Sequence, residues 1–147
     1  MAFSVTLIHG LQPSARRAIA FLECTEDKEI DAKRFFDKLK PKAAYDFKSR
    51  FDHWLGGNVF DKYFHGWPND KERKNCFVFK RKEAGTHHRL YGFLMNPKST
   101  NLGYQVCVLV AHAQKNTEHT DPSELDAVNA LRAKREVIEA VRSAFPG

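Results

Sequence analysis

Cys76-Phe77-Val78-Phe79-Lys80, His87-His88-Arg89-Leu90-Tyr91-Gly92-Phe93-Leu94-Met95 and Tyr104-Gln105-Val106-Cys107-Val108-Leu109-Val110-Ala111-His112 are the three runs that decide the fold. Each is rich in aromatic and β-branched residues. Each is bounded by turn chemistry: a charged turn with Gly85 after the first, and a loop with Pro97 and Gly103 after the second. That pattern predicts three strands, and the short connections predict antiparallel hairpins. In the third run, strict alternation puts Val106, Val108, Val110 and His112 on one face. Cys107, Leu109 and Ala111 take the other. Both faces are apolar, so the strand is expected to be central and covered. Its polar end is where chemistry would emerge.

Upstream, Phe3 to Ile8 is expected to form a short strand, and Arg17 to Leu22 a better one with Ile19 and Phe21 on one face. Ile30 to Leu39 has the spacing of an amphipathic helix, and Pro41 ends it and opens the next. There Ala44, Phe47, Phe51, Trp54 and Leu55 recur at spacings of three and four, the clearest helical stripe in the chain. Gly56-Gly57 stops that helix, since glycine accepts the left-handed conformation past a helix end. Asn58 to Asn75 is polar and aromatic-rich, and a long loop partly packed by Trp67 is expected. Downstream, Asp121 suits a helix cap, Pro122 the first helical position and Glu124 the capping-box position. One terminal helix follows, with Leu125, Val128, Leu131, Ile138 and Val141 as its buried stripe and Arg132, Lys134 and Arg135 as a basic face.

The 147 residues fit a single domain, with residues 1–16 open to being an N-terminal extension. Against 18 acidic residues stand 24 Lys and Arg, a net charge of +6 that permits a nucleic-acid or acidic partner without requiring one. The three cysteines, Cys24, Cys76 and Cys107, have no close pairing, which argues against a disulfide framework and for buried reduced thiols in a cytoplasmic protein. There is no signal-peptide pattern and no apolar run of membrane-spanning length, so no membrane partner is expected. A phosphate-binding glycine loop and a Gly-x-Ser-x-Gly elbow are both missing. His87, His88 and His119 do not meet metal-ligand spacing, so no metal is expected.

The order of strand, two helices, three antiparallel strands and terminal helix, read from Arg17 to Arg135, resembles the RelE/ParE superfamily of bacterial toxins, in its HigB-like, phage-derived branch. Three pieces carry the resemblance. Phe77-Val78-Phe79-Lys80 stands where the family has Trp-Glu-Leu-Arg. His88-Arg89-Leu90-Tyr91 stands where it has Tyr-Arg followed by apolar residues. Lys115-Asn116-Thr117 through Pro122-Ser123-Glu124-Leu125 stands for its Lys-Lys-Thr…Pro-x-x-Glu-Ile segment.

The resemblance implies an α+β fold: a small antiparallel sheet with an N-terminal helical hairpin and a C-terminal helix. It implies the toxin of a type II toxin-antitoxin pair, a ribosome-dependent mRNA endoribonuclease working by 2′-hydroxyl attack without metal or other cofactor. Its partners would be the ribosome, mRNA and a protein antitoxin of the helix-turn-helix type. On this reading Arg89 holds the phosphate and Lys80 adds charge beside it. His112 is the general acid or base, with His88 as its alternative. Lys82, Lys115 and Arg81 contact RNA. Two alternatives stay open: a ParE-like inhibitor of DNA gyrase, and a catalytically inactive prophage-derived binding protein. The same residues also have plainer readings. His112 can close a core strand, Arg89 can pair with Glu72 or Glu83, and Lys80 and Lys82 can be solvated edge lysines.

Overall fold

A computed structural model of the chain describes residues 2–11, 14–117 and 119–147. Ten elements follow in order: β1 (Ser4–Leu7), β2 (Arg17–Glu23), α1 (Ala32–Asp37), α2 (Pro41–Leu55), β3 (Phe64–Gly66), β4 (Cys76–Glu83), β5 (Thr86–Met95), β6 (Gln105–Lys115), α3 (Pro122–Arg132) and α4 (Arg135–Ala144). The fold is α+β. All six strands form one sheet in the order β1-β2-β6-β5-β4-β3. The three runs quoted above are β4, β5 and β6, paired antiparallel as their short connections require.

The sheet is mixed, not antiparallel throughout. After β2 the chain crosses one face through α1 and α2 and enters the far edge at β3. It then zigzags back, so β6 arrives beside β2 running in the same direction, with Arg17 opposite Gln105 and Phe21 opposite Leu109. The helices α1 and α2 therefore follow two strands and are not an N-terminal hairpin. Within the segment read as open to being an extension, Ser4–Leu7 is a strand of the sheet, paired with Ala20 to Glu23.

Two further expectations change. The segment Asn58 to Asn75 is not all loop: Phe64–Gly66 pairs with Phe77 to Phe79 as β3. Three residues are too few for a periodicity to register. The terminal helix is two helices. Ala133 still has helical backbone, but Lys134 is extended at ψ 132°. The break lets Val128 of α3 and Val137 and Val141 of α4 all stay buried on a twisted sheet that one straight stripe would leave. Asp121 caps α3 through its carboxylate and the Ser123 N–H, as its position suggested.

Each sheet face has its own core. One holds Val78, Tyr91, Phe93, Val106 and Val108 under α3 and α4. The other holds Phe21, Phe79, Leu90, Cys107 and Leu109 under α1 and α2, with Phe47, Phe51 and Trp54 from the α2 stripe. Val106 through Val110 is almost wholly buried, and full burial of each such side chain contributes roughly 1.5–3 kcal/mol. This is why β6 lies inside the sheet. All three cysteines are buried, and burial pushes the Cys76 thiol up to about 11. Among the described residues no helix is long and apolar enough to cross a membrane.

Candidate nucleic-acid interface

The polar ends of β4, β5 and β6 meet at one end of the sheet. β4 and β5 are joined by a two-residue turn in which Ala84 and Gly85 both take positive φ, 50° and 83°, the geometry that matches the twist of a tight hairpin. The turn fixes the register. Lys80 lies opposite Arg89, Arg81 opposite His88, Lys82 opposite His87 and Glu83 opposite Thr86. Directly opposite residues share a face and successive residues alternate. Lys80, Lys82, His87 and Arg89 therefore share one face. Arg81 and His88 share the other.

β6 completes both sets, but not by simple alternation. Gly92 pairs with Leu109 and Tyr91 pairs with Ala111, so Val110 is an extra residue, a β-bulge. Without it Arg89 would sit opposite His112. With it Arg89 sits opposite Ala113, and His112 falls opposite Leu90. The expectation that His112 shares a face with Val106 and Val108 is corrected here. So is the expectation that Arg89, Lys80, His88 and His112 form one catalytic group: the sheet stands between the two histidines and the two cations.

On the α1–α2 face the histidines form a packed pair. His88 Nδ1 and His112 Nε2 are 3.4 Å apart. The Phe35 ring of α1 stacks on His112 at 3.6 Å and 8°, and the His112 backbone N–H donates to Asp31 at 2.7 Å. Burial, ahead of any charge, lowers the pKa of both imidazoles. This is the core-strand reading of His112. Arg81, read as an RNA contact, is only 6 % exposed and is held by Asp46 at 3.0 Å and Glu83 at 2.9 Å. Two carboxylates take up its guanidinium, so it adds little to any outward field.

Arg89 is 2 % exposed. Its guanidinium donates to the carbonyls of Thr117 at 3.0 Å and His119 at 2.9 Å, tying down the segment after β6. It pairs with neither Glu72 nor Glu83. With these bonds made it acts as a buried positive charge behind the face, not as a hand on a phosphate. Lys115, opposite His87, is bound by Glu124, so that carboxylate is not used for the capping box.

A groove of about 680 Å³ runs along this end of the sheet, past the point where β3 stops and leaves the outer edge of β4 uncovered. Lys62, Lys80, Lys82, His65, His87 and Arg89 line it, with Arg50 and Tyr63 on the α2 side, and among the described residues no carboxylate does. Arg50 lies 4.3 Å from the centre of the Tyr63 ring. Lys80 reaches the carbonyl of Asp61 and so is drawn toward the β3 wall. Burial, then the nearby charges of Lys80 and Arg89, bring His65 down to about 4, so it is neutral at neutral pH. His65 and Lys62 belong to the segment read as loop. Their signal in the sequence was the mixture of aromatic and basic residues there, which suits nucleic-acid stacking.

The three lowered histidines set a pH dependence. Their folded values lie below the unfolded value, so the unfolded chain takes up more protons as pH falls. Stability conferred by neutral His65, His88 and His112 is therefore full above about pH 6.5 and declines below it, for His65 down to about pH 4. The urea midpoint is expected to drop between neutral pH and pH 5, and His65→Asn is expected to remove part of that drop.

No protein-family model, curated protein or solved structure matches this chain. Among the described residues no three His, Cys, Asp or Glu side chains are placed to hold a metal ion.

Proposed function

We propose that this protein binds the phosphate backbone of RNA in the groove and cleaves mRNA on the ribosome as the toxin of a toxin-antitoxin pair. One observation supports the binding: a groove with many basic side chains and no lining carboxylate attracts polyanions, and its field is focused by the concave wall. The resemblance of the strand motifs supports the toxin reading. Its partners are then mRNA, the ribosome and a helix-turn-helix antitoxin, in the cytoplasm.

The cleavage chemistry moves from His112 to His87. Lys80/Arg89 and Lys82/His87 are adjacent rungs of one face, with cross-strand Cβ atoms ~5 Å apart. Lys80 and Lys82 stabilise the extra negative charge of the phosphorane as the 2′-oxygen attacks phosphorus. His87 takes the 2′-hydroxyl proton, imidazole being the side chain type suited to that exchange near neutral pH. The 5′-oxygen leaves, taking its proton from water, and a 2′,3′-cyclic phosphate remains. No metal is needed for these steps.

A second reading, RNA binding without cleavage, is favoured by the placement of the His88–His112 pair on the other face of the sheet from Lys80 and Arg89 and by the bonds that occupy Arg89. The test is a bacterial translation reaction with RNA 5′ ends mapped. Wild type and His112→Ala are expected to cut translated message, and Lys82→Ala and His87→Ala to lose the cuts. Intact message with RNA still bound selects the second reading. Absence of RNA binding by the wild type overturns both.

A further inference from the structure

At the opposite end of the sheet, where β2 and β6 begin and β5 ends, lies a second pocket of about 430 Å³. Arg16, Arg17, Arg132, Asn75, Gln105 and Tyr104 contribute to its walls, and among the described residues no carboxylate does. Arg16 and Arg17 stand at the start of β2 and Arg132 at the end of α3, so the meeting of Arg132 with the other two is tertiary.

Two of these arginines are anchored rather than loose. The Arg17 guanidinium lies 4.6 Å from the centre of the Trp54 ring and donates to the Trp54 carbonyl. The Arg132 Nε–H donates to the Leu94 carbonyl at 2.8 Å. Neither is in an ion pair with a described residue. Two other packed arginines do have carboxylates, Arg73 between Asp70 and Asp126 and Arg81 between Asp46 and Glu83, whereas Arg89 is held by backbone carbonyls. Withdrawing a cation from water without a counter-charge is costly, and an anion from solution offsets that cost. The lowered pKa of Arg17 and of Arg132, caused by burial, agrees with the lack of a carboxylate beside either.

We propose that this pocket binds a terminal phosphate group, carried by a molecule of mononucleotide size or by an RNA end. Guanidinium groups present paired N–H donors that match phosphate oxygens, and Arg17 and Arg132 are already fixed on their other side. The volume lies in the range of small-molecule sites, and Tyr104 offers an aromatic wall to the body of the ligand. Arg16, exposed at the rim, adds attraction on entry.

The test uses the full chain with inorganic phosphate and adenosine 5′-monophosphate as probes, read by calorimetry and thermal shift. Saturable binding of both is expected. Arg16→Ala and Arg132→Gln are each expected to weaken the nucleotide about tenfold, while Lys71→Ala, an exposed lysine that lines neither this pocket nor the groove, leaves it unchanged. Should Arg132→Gln fail to fold, Arg132→Lys, which keeps the charge and loses the fork, is expected to weaken it less. Displacement of the nucleotide by a 5′-phosphorylated oligonucleotide, and not by its unphosphorylated form, supports an RNA end as the source. Failure of both to displace it supports a small molecule. No saturable binding of either probe at about 10 mM, or equal binding by wild type and the Arg16 and Arg132 variants, overturns the proposal.

Discussion

Gly92→Ala is expected to destabilise the protein by about 3–5 kcal/mol, enough to unfold much of the population of a domain of ordinary stability. A Cβ at Gly92 would lie 2.3 Å from the Val108 carbonyl oxygen, 2.9 Å from its carbon and 3.1 Å from the Leu109 Cα. These are backbone atoms of the central strand, buried on both faces, and no side-chain rotation relieves the clash. The approach is this close because the register shifts between Tyr91 and Gly92, where Val110 is left unpaired. Urea denaturation monitored by tryptophan fluorescence measures the loss. A loss below about 1 kcal/mol would mean that β5 and β6 do not cross at this distance. The substitution is also informative about the site, because the bulge is what sends His112 to the far face.

Neutralising Lys62 and Lys82 together, each to Gln, is expected to weaken RNA binding by one to two orders of magnitude at low salt. Both side chains line the groove, and Lys82 is well exposed. Each lysine that contacts a phosphate releases a counterion, and a single strand gives a slope of roughly 0.7 in log affinity per contact against log salt. The double variant should lower that slope by about 1.4 and leave the urea midpoint nearly unchanged, since exposed lysines contribute little to stability. A parallel charge change at Arg81 behaves differently. Removing its buried guanidinium breaks the bonds to Asp46 and Glu83 and is read mainly as stability. An unaltered salt slope in the Lys62/Lys82 variant would remove the groove from the RNA path.

The antiparallel hairpins of β4, β5 and β6 were legible because each strand carries its own alternation and each turn its own residues. The α2 helix was legible for the same reason, through Phe47, Phe51, Trp54 and the glycines behind them; Gly57 indeed takes φ 82°. The parallel placement of β6 beside β2 was not, since it joins residues some ninety apart and leaves no local pattern. β3 was too short to announce itself. Of the residues lining the groove, Lys80, Lys82 and Arg89 are ones that the strand motifs single out. His65 and Lys62 are not, because their strand and its edge appear only after folding.

By itself the sequence determined five of the six strands, the main helices, the Asp121 cap and which residues could carry charge or protons. These follow from periods of two and of three to four, which any short segment displays. Tertiary structure alone decided which of those residues meet. A glycine inside a strand pattern is a signal for a bulge or a close approach, and Gly92 carried it. Which partner residue is extruded depends on the neighbouring strand, and the one extra residue at Val110 inverts every position after it. That inversion placed His112 against Phe35 and His88, left Lys80, Lys82, His87 and Arg89 together on the opposite face, and so chose the groove over the histidine pair.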